Sequence, residues 1–308
     1  MLKYTFKRIL GVIPVLMGVT FLVFTMLHLT PGDPARIILG EQASLESVQG
    51  LRDQMGLNDN FFLQFFRYCG NAVTGDLGRS YSTNRPVFSE LLSAFPYTLQ
   101  LATMSIAIAL LLGIPFGIIS SIRQYSLFDN IVTSLAMVGI SIPVFWSGLL
   151  LILLFSVHLR ILPPSGGSGF ISMIMPAATL AAQSVAVITR MTRSSMLEIV
   201  RQDFVRTARS KGANERHVIV RHALPNALVP VITITGIQFG RLLGGAVLTE
   251  IVFSIPGVGR LLVSAIQMRD YPMVQGGVLF IAVAFCLVNL GVDLLYAYLD
   301  PRIKSQYK

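Results

Sequence analysis

The sequence predicts an all-α polytopic membrane protein with six transmembrane helices and both termini in the cytoplasm. Three observations carry that expectation. Of 308 residues, 53% are hydrophobic and only 13% charged, with a mean hydropathy of +0.68, whereas a soluble globular domain breaks its apolar runs at the length of a core strand or helix. Six segments are long enough, or nearly so, to supply the ~20 apolar residues that cross a bilayer as helix. Lys and Arg gather on alternate links between them, as cytoplasmic loops do.

The spans are expected at 9–29, 98–122, 131–157, 174–189, 227–252 and 275–299. The first has a basic start (Lys3, Lys7, Arg8) but exceeds the 7–15 apolar residues of a signal peptide. No small-x-small cleavage site precedes LTPGDP at 29–34, so it reads as a retained helix. The fourth is short and borrows apolar residues from its flanks. Alternation over ~10-residue segments, the mark of a membrane barrel, is absent. Prolines 14, 115, 143 and 230 fall inside or at the ends of spans, which neighbouring helices tolerate.

With the N-terminus inside, fifteen of the 24 Lys and Arg lie on the inner side and eight on the outer, with Arg241 inside a span. The pI of 9.9 then reflects inner-face basic residues beside anionic lipid, not nucleic acid. Cys69 falls in an outer loop and Cys286 in a helix, which argues against an intramolecular disulfide.

Two regions interrupt the alternation. The outer loop at 30–97 is long enough for a small subdomain and is aromatic at 63–68. The expected organisation is therefore a span plus outer loop over 1–97, a five-helix domain over 98–300, and a cytoplasmic tail at 301–308. The other region is the inner loop at 190–226, too long for a turn. There Met196, Leu197, Val200, Phe204 and Ala208 recur at three- and four-residue spacing and form one helical stripe. Gly212 is a natural helix stop, Asn214 can cap a second short helix, and Pro225 ends that helix or begins the next span. The product is a helix–turn–helix on the inner face. It is either a shaped surface for another protein or a basic amphipathic loop resting on lipid headgroups.

The order of residues adds to that reading. RTARSKGANERHVIVRHALPN at 206–226 resembles the cytoplasmic EAA loop of ATP-binding-cassette importer permeases. Arg206, Thr207 and Ala208 stand at the EAA positions and Gly212 at the glycine. His222 stands where the pattern has isoleucine, and Leu224 and Pro225 match the closing pair. DFVRTARSKG (203–212) with RHALPNALVP (221–230) is similar to the dipeptide, oligopeptide and nickel branch. LTPGDP (29–34), LTEIVFSIPGVGRLL (248–262) and RDYPMVQG (269–276) resemble that branch too. The resemblance covers essentially the whole chain.

It implies a type I permease fold, a coupling loop docking on a separate ATPase, and alternating access for short peptides across the inner membrane. It implies partners: a second related permease, two ATPase subunits and an extracytoplasmic binding protein. ATP and Mg would serve the ATPases, because this sequence has no G-x-x-x-x-G-K-[ST] loop. It also lacks a His/Cys set at metal spacing and a G-x-S-x-G elbow. The same machinery could import nickel chelates or glutathione. An ion-gradient transporter would show an internal repeat and a midplane charge cluster, and neither is present.

Four charged residues each have two readings. Arg241 lies about 14 residues into the fifth expected span, ~21 Å along it, and lines a pathway or pairs with a sister permease. Asp293 lies ~9 Å from the inner end of the sixth and carries the same alternatives. Glu250 reads as an anchor or gate residue. Asp270 is either a binding-protein contact or an ordinary solvated loop charge.

Overall fold

In a computed structural model the described residues are 2–40, 42–165 and 169–299, so the tail expected at 301–308 lies outside them. Fourteen α-helices carry the described residues, and the sole β-pairing among these is an isolated bridge between Arg79 and Pro86. Helix α1 (Leu2–Leu29) leads into a helical subdomain of α2 (Pro34–Leu39), α3 (Leu45–Met55) and α4 (Phe61–Val73). Each of these short helices starts on a polar cap that satisfies an otherwise orphaned N–H. Asp33 accepts from Ala35 ahead of Pro34, Ser44 from Ser47, and Asn60 from Phe62. The subdomain leans on α1 through edge-to-face rings, with Phe24 meeting Phe61 at 5.2 Å and Phe65 at 5.6 Å.

The remaining helices are α5 (Val87–Ile122), α6 (Leu127–Ser141), α7 (Val144–Leu151) with a π-helical extension Ile152–His158, and α8 (Phe170–Val200). Then follow α9 (Asp203–Ser210), α10 (Glu215–His217), a π-helical turn Val218–Ala223 running into α11 (Leu224–Gly245), α12 (Val247–Val252), α13 (Val258–Gln267) and α14 (Tyr271–Leu299). Among the described residues five helices are long and apolar enough to cross a membrane, and six if α6 and α7 with its extension count as one broken span. The expected division at 97/98 falls inside α5, which is continuous across it.

The second expected span begins earlier, at Val87, and the third, fourth and fifth differ as well. The third span is not one helix: it bends by 104° between α6 and α7. Pro143 has no N–H and excludes the helical conformation from the residue before it, and Ile142 accordingly sits extended at φ −76°, ψ 128°. The fourth span, expected at 174–189, runs from Phe170 to Val200. The fifth ends at Gly245, and the chain turns through Ala246 before α12.

Helix α8 is the centre of the bundle. Of its most apolar window 61% is buried, against 6% for α1 and α14. The main core joins Leu101, Met173, Leu180, Ile188, Leu242 and Phe253 from α5, α8, α11 and the turn after α12. Small residues set the approach of the helices. A Cβ at Gly117 on α5 would lie 2.5 Å from Thr192 Cβ and 2.7 Å from the Thr189 carbonyl of α8. On α11, Gly236 and Gly240 face Val292 and Phe285 of α14. Without water between apolar helices in lipid, such packing is the main source of association. Large apolar side chains such as Ile9, Ile13, Leu22, Leu111, Leu135 and Leu153 remain exposed on the outside, as lipid contact requires.

Candidate coupling surface and its supports

The loop at 201–223 is a compact device of three short elements. The stripe expected as one helix is broken: α8 ends at Val200, Arg201 and Gln202 make the turn, and α9 begins at Asp203. Helix α9 ends at Ser210 with Lys211 as its cap. Gly212 then adopts φ +79° with open space where a Cβ would project, the left-handed conformation that costs glycine least. Asn214 caps α10, its side chain accepting from the Arg216 N–H at 3.2 Å. Across the turn Arg209 grips Glu215 with two bonds, Nε–Oε2 at 3.1 Å and Nη2–Oε1 at 2.7 Å. That carboxylate raises the pKa of the Arg209 guanidinium.

Apolar residues fasten the device to the bundle. Val205 and Val218 are fully buried. Ile219, Ala223 and Ala227 pack with Met196, against Ile118, Ile199 and Leu224. Ser195 donates to the Ala227 carbonyl at 2.9 Å, tying α8 to α11. The widened π turn lies directly ahead of Pro225, whose ring would clash with the carbonyl four residues back in a regular α-helix. Pro225 therefore sits in the first turn of α11 within a helix continuous from Glu215 to Gly244.

What remains outside is a mixed surface. Arg206, Thr207, Lys211, Gly212, Asn214, Arg216 and Pro225 are exposed, and so are the apolar Phe204 and Val220. Ala208 and Leu224 are half-buried. His222 is half-buried too, its ring 5.6 Å from that of His217. Of the expected positions, Arg206, Thr207, Gly212, Asn214 and Pro225 are thus open to solvent, while Ala208, His222 and Leu224 are partly covered.

Nothing in the sequence pointed to the strongest support behind that surface. Asp129, 2% exposed, lies in the first turn of α6. It receives both Nε and Nη2 of Arg193 on α8 at 2.7 Å, the Tyr125 N–H at 2.9 Å, and the hydroxyl of Ser120 on α5. One carboxylate locks three helices at the end that carries the loop. The available signal was one charge just before the third expected span and another just past the fourth, which only spatial proximity makes a pair.

At the opposite end two more buried carboxylates do similar work. Glu250 is 0% exposed. It accepts from Thr98 Oγ1 of α5 at 2.6 Å and from the Arg260 N–H of α13 at 2.9 Å, while Val258 N–H donates to Thr98 Oγ1 at 2.9 Å. A Cβ at Gly257 or Gly259 would strike the carboxyl group. Glu250 is thus an anchor for the turn between α12 and α13. Asp270 corrects an expectation: at 1% exposure it is not a solvated charge and offers no face to a partner. It accepts from the hydroxyls of Ser80 (2.5 Å) and Ser82 (2.9 Å), the Tyr81 N–H (3.1 Å) and, at the start of α14, the Met273 N–H (3.3 Å).

The other two charges also differ from expectation. Asp293 pairs with Arg8 of α1 at 2.8 Å, within the chain. Arg241 is four residues from the end of α11, so ~6 Å from it, not at mid-helix. It is exposed, and its Nη1 donates to Gln238 Oε1 at 3.2 Å, while Gln238 Nε2 reaches Ser184 Oγ of α8 at 3.3 Å. Cys69 and Cys286 are free thiols, and no cluster of metal ligands occurs among the described residues.

Comparison with known proteins shows what the chain is similar to. Residues 113–305 match the binding-protein-dependent transport system inner membrane component, and residues 1–102 match the N-terminal region of such membrane components. The dipeptide transport system permease protein DppB of Alkalihalophilus pseudofirmus is 42% identical, over 99% of this chain and all of that protein. The glutathione transport system permease protein GsiC of Escherichia coli K12 is 44% identical over 99% of each. Among solved structures, the MetNI methionine ABC transporter in an inward-facing conformation aligns with TM-score 0.57 at 18% identity, covering 68% of this chain and 96% of that one. An amino acid ABC transporter with histidines aligns at TM-score 0.51 and 17% identity, covering 70% and 94%. At such identities these two show a shared fold. The full-length matches, and the fold that accompanies them, make this chain a member of the binding-protein-dependent transport system inner membrane component family.

Proposed function

We propose that this chain is the permease subunit of an ATP-driven importer for short peptides, of the dipeptide or glutathione class. The observation that carries the substrate class is identity of 42–44% along the whole chain with two peptide permeases. The observation that supports the mechanism is the stiff, exposed turn around Gly212, fastened to α8 and α11. Arg206, Thr207, Ala208, Gly212, Asn214, His222, Leu224 and Pro225 form the docking surface for a separate ATPase. Closure of the ATPase pair pushes this surface, and the buried packing under it passes the displacement to the bundle in an alternating-access cycle. ATP and Mg belong to those ATPase subunits.

In this reading the loop end faces the cytoplasm with both termini, following the basic-residue bias, in the inner membrane. The end carrying α2–α4 faces outward, toward an extracytoplasmic binding protein. A second, related permease completes the pathway. Arg241 is exposed on α11 and has no carboxylate partner among the described residues. It is the residue placed to meet that pathway or the sister subunit, since an unpaired arginine in lipid is costly and calls for one or the other. Glu250, being sealed, holds the outer turn and touches no solute. The reading is tested by purifying the chain from cells under mild detergent and reconstituting what accompanies it. An ATPase should co-purify, and dipeptide uptake into proteoliposomes should require ATP and no ion gradient. Uptake driven by a proton or sodium gradient without ATP would refute it.

A further inference from the structure

At the outer end a cleft of ≈ 590 Å³ opens between the start of α5 and the start of α13. Its walls carry Thr83, Arg85, Glu90, Tyr97, Arg260 and Ser264, and its floor includes Gly257. The size falls within the ~300–1,000 Å³ of ordinary small-molecule sites. Two features set it apart from a chance groove. First, it brings two guanidinium groups and one carboxylate together, and none of Arg85, Glu90 and Arg260 belongs to an ion pair among the described residues. Glu90 accepts from the Thr83 hydroxyl, and Arg260 Nη1 donates to the Ser254 carbonyl at 2.8 Å. A charge of each sign is therefore held in place by neutral partners, without a countercharge. Second, the floor is rigid. Gly257 rests directly on the buried Glu250 carboxyl, and Glu250 in turn bonds α5 and α13, the two walls.

The N-terminal amides of α13 do not themselves form an anion site. Val258 N–H is taken by Thr98, Arg260 N–H by Glu250 and Leu261 N–H by Gly257. Recognition in the cleft falls to the three charged side chains. That set, one anion and two cations, complements a ligand with one ammonium and one carboxylate. A short peptide with free ends is such a ligand; two extended residues separate its charged ends by ~7 Å, a span that a cleft of this volume accommodates.

We infer that this cleft is a receiving site for short zwitterionic peptides, with Glu90 taking the terminal ammonium and Arg85 with Arg260 taking the terminal carboxylate. Arginine suits the carboxylate because its planar fork matches two oxygens at once. Exposed pairs are worth little in water, so the gain comes from a ligand that fills the cleft and excludes solvent from both ends together. The inference rests on the peptide reading above and assigns a place on this chain where a delivered peptide is first held.

The test uses the purified complex of permease and ATPase subunits without binding protein, in equilibrium dialysis against radiolabelled alanyl-alanine. Glu90→Gln and Arg85→Gln should each weaken binding about tenfold, the loss of one charge-assisted contact. N-acetyl-alanyl-alanine, which has no ammonium, should compete equally against wild type and Glu90→Gln. Alanyl-alaninamide should behave likewise for Arg85→Gln. Absence of wild-type binding, or equal losses for free and capped peptides, overturns the assignment. A second measurement, ATP hydrolysis with binding protein added, also overturns it if the variants shift only the binding-protein concentration that half-stimulates hydrolysis, which would make the cleft a protein-docking surface. Wild-type uptake in proteoliposomes separates the two readings: ATP-driven dipeptide uptake together with unchanged binding by the variants defeats only this site.

Discussion

Gly212 and Asp129 show how single residues act here for opposite reasons. Gly212 is required by backbone alone: its φ is +79° and nothing lies within 4 Å of the place a Cβ would occupy. Gly212→Val places a β-branched residue in left-handed conformation at about 1–2 kcal/mol, enough to distort the turn without a packing clash. Peptide uptake should be lost while the chain still inserts, and Gly212→Asn, which tolerates that conformation, should restore much of it. Equal uptake by wild type and the valine variant would remove the coupling assignment. Asp129 is required by its partners. Asp129→Ala leaves the Arg193 guanidinium unpaired and should cost about 3–5 kcal/mol. Adding Arg193→Met removes the stranded charge and should recover part of it, read as thermal unfolding midpoints of the detergent-purified chain.

Pairs of helices are set by what each lets the other approach. Gly236 on α11 faces the side chain of Val292 on α14, so Gly236→Ala should lower the unfolding temperature and Val292→Ala should compensate. At Gly117 the obstacle includes the Thr189 carbonyl of α8, 2.7 Å from the added carbon. Truncating Thr192 therefore should not rescue Gly117→Ala, since backbone cannot be trimmed. A rescue at Gly117 as complete as that at Gly236 would contradict this geometry. The long elements were largely readable: apolar length, the cap at Asn214 and the stop at Gly212 announced helices, whereas the caps at Asp33 and Ser44 that start α2 and α3 came to light only in the structure. The 104° break at Pro143 was half-readable, because proline forbids a regular helix but neighbouring contacts decide whether it kinks or breaks.

Across the whole molecule, three buried carboxylates tie the two ends of the bundle. Asp129 acts at the loop end, and Glu250 and Asp270 act at the subdomain end. The orientation is open to direct measurement. In a chain freed of Cys69 and Cys286, a cysteine at Asn84 should react with membrane-impermeant maleimide applied to intact spheroplasts. A cysteine at Lys211 should react only after the membrane is opened. Both sites are exposed, so reversed labelling would invert the topology. The sequence signalled neither the Arg8–Asp293 pair nor the burial of Asp270, although all three residues were visible as charges.

By itself the sequence determined the helical membrane class, the long apolar helices and the turn at Gly212, and its several motifs taken together carried the resemblance to the family. Those follow from local terms: apolar length against bilayer thickness, backbone freedom at glycine, and the order of residues in short motifs. Only the tertiary structure decided which charges are sealed, which are paired and which stand open. Asp270 and Glu90 both lie in or beside polar segments between spans and look alike in sequence. One is enclosed by Ser80, Tyr81 and Ser82 from a segment 188–190 residues distant, while the other faces a cleft beside two arginines. The fate of a carboxylate depends on the dielectric and the donors around it, and residues far apart in the chain supply both.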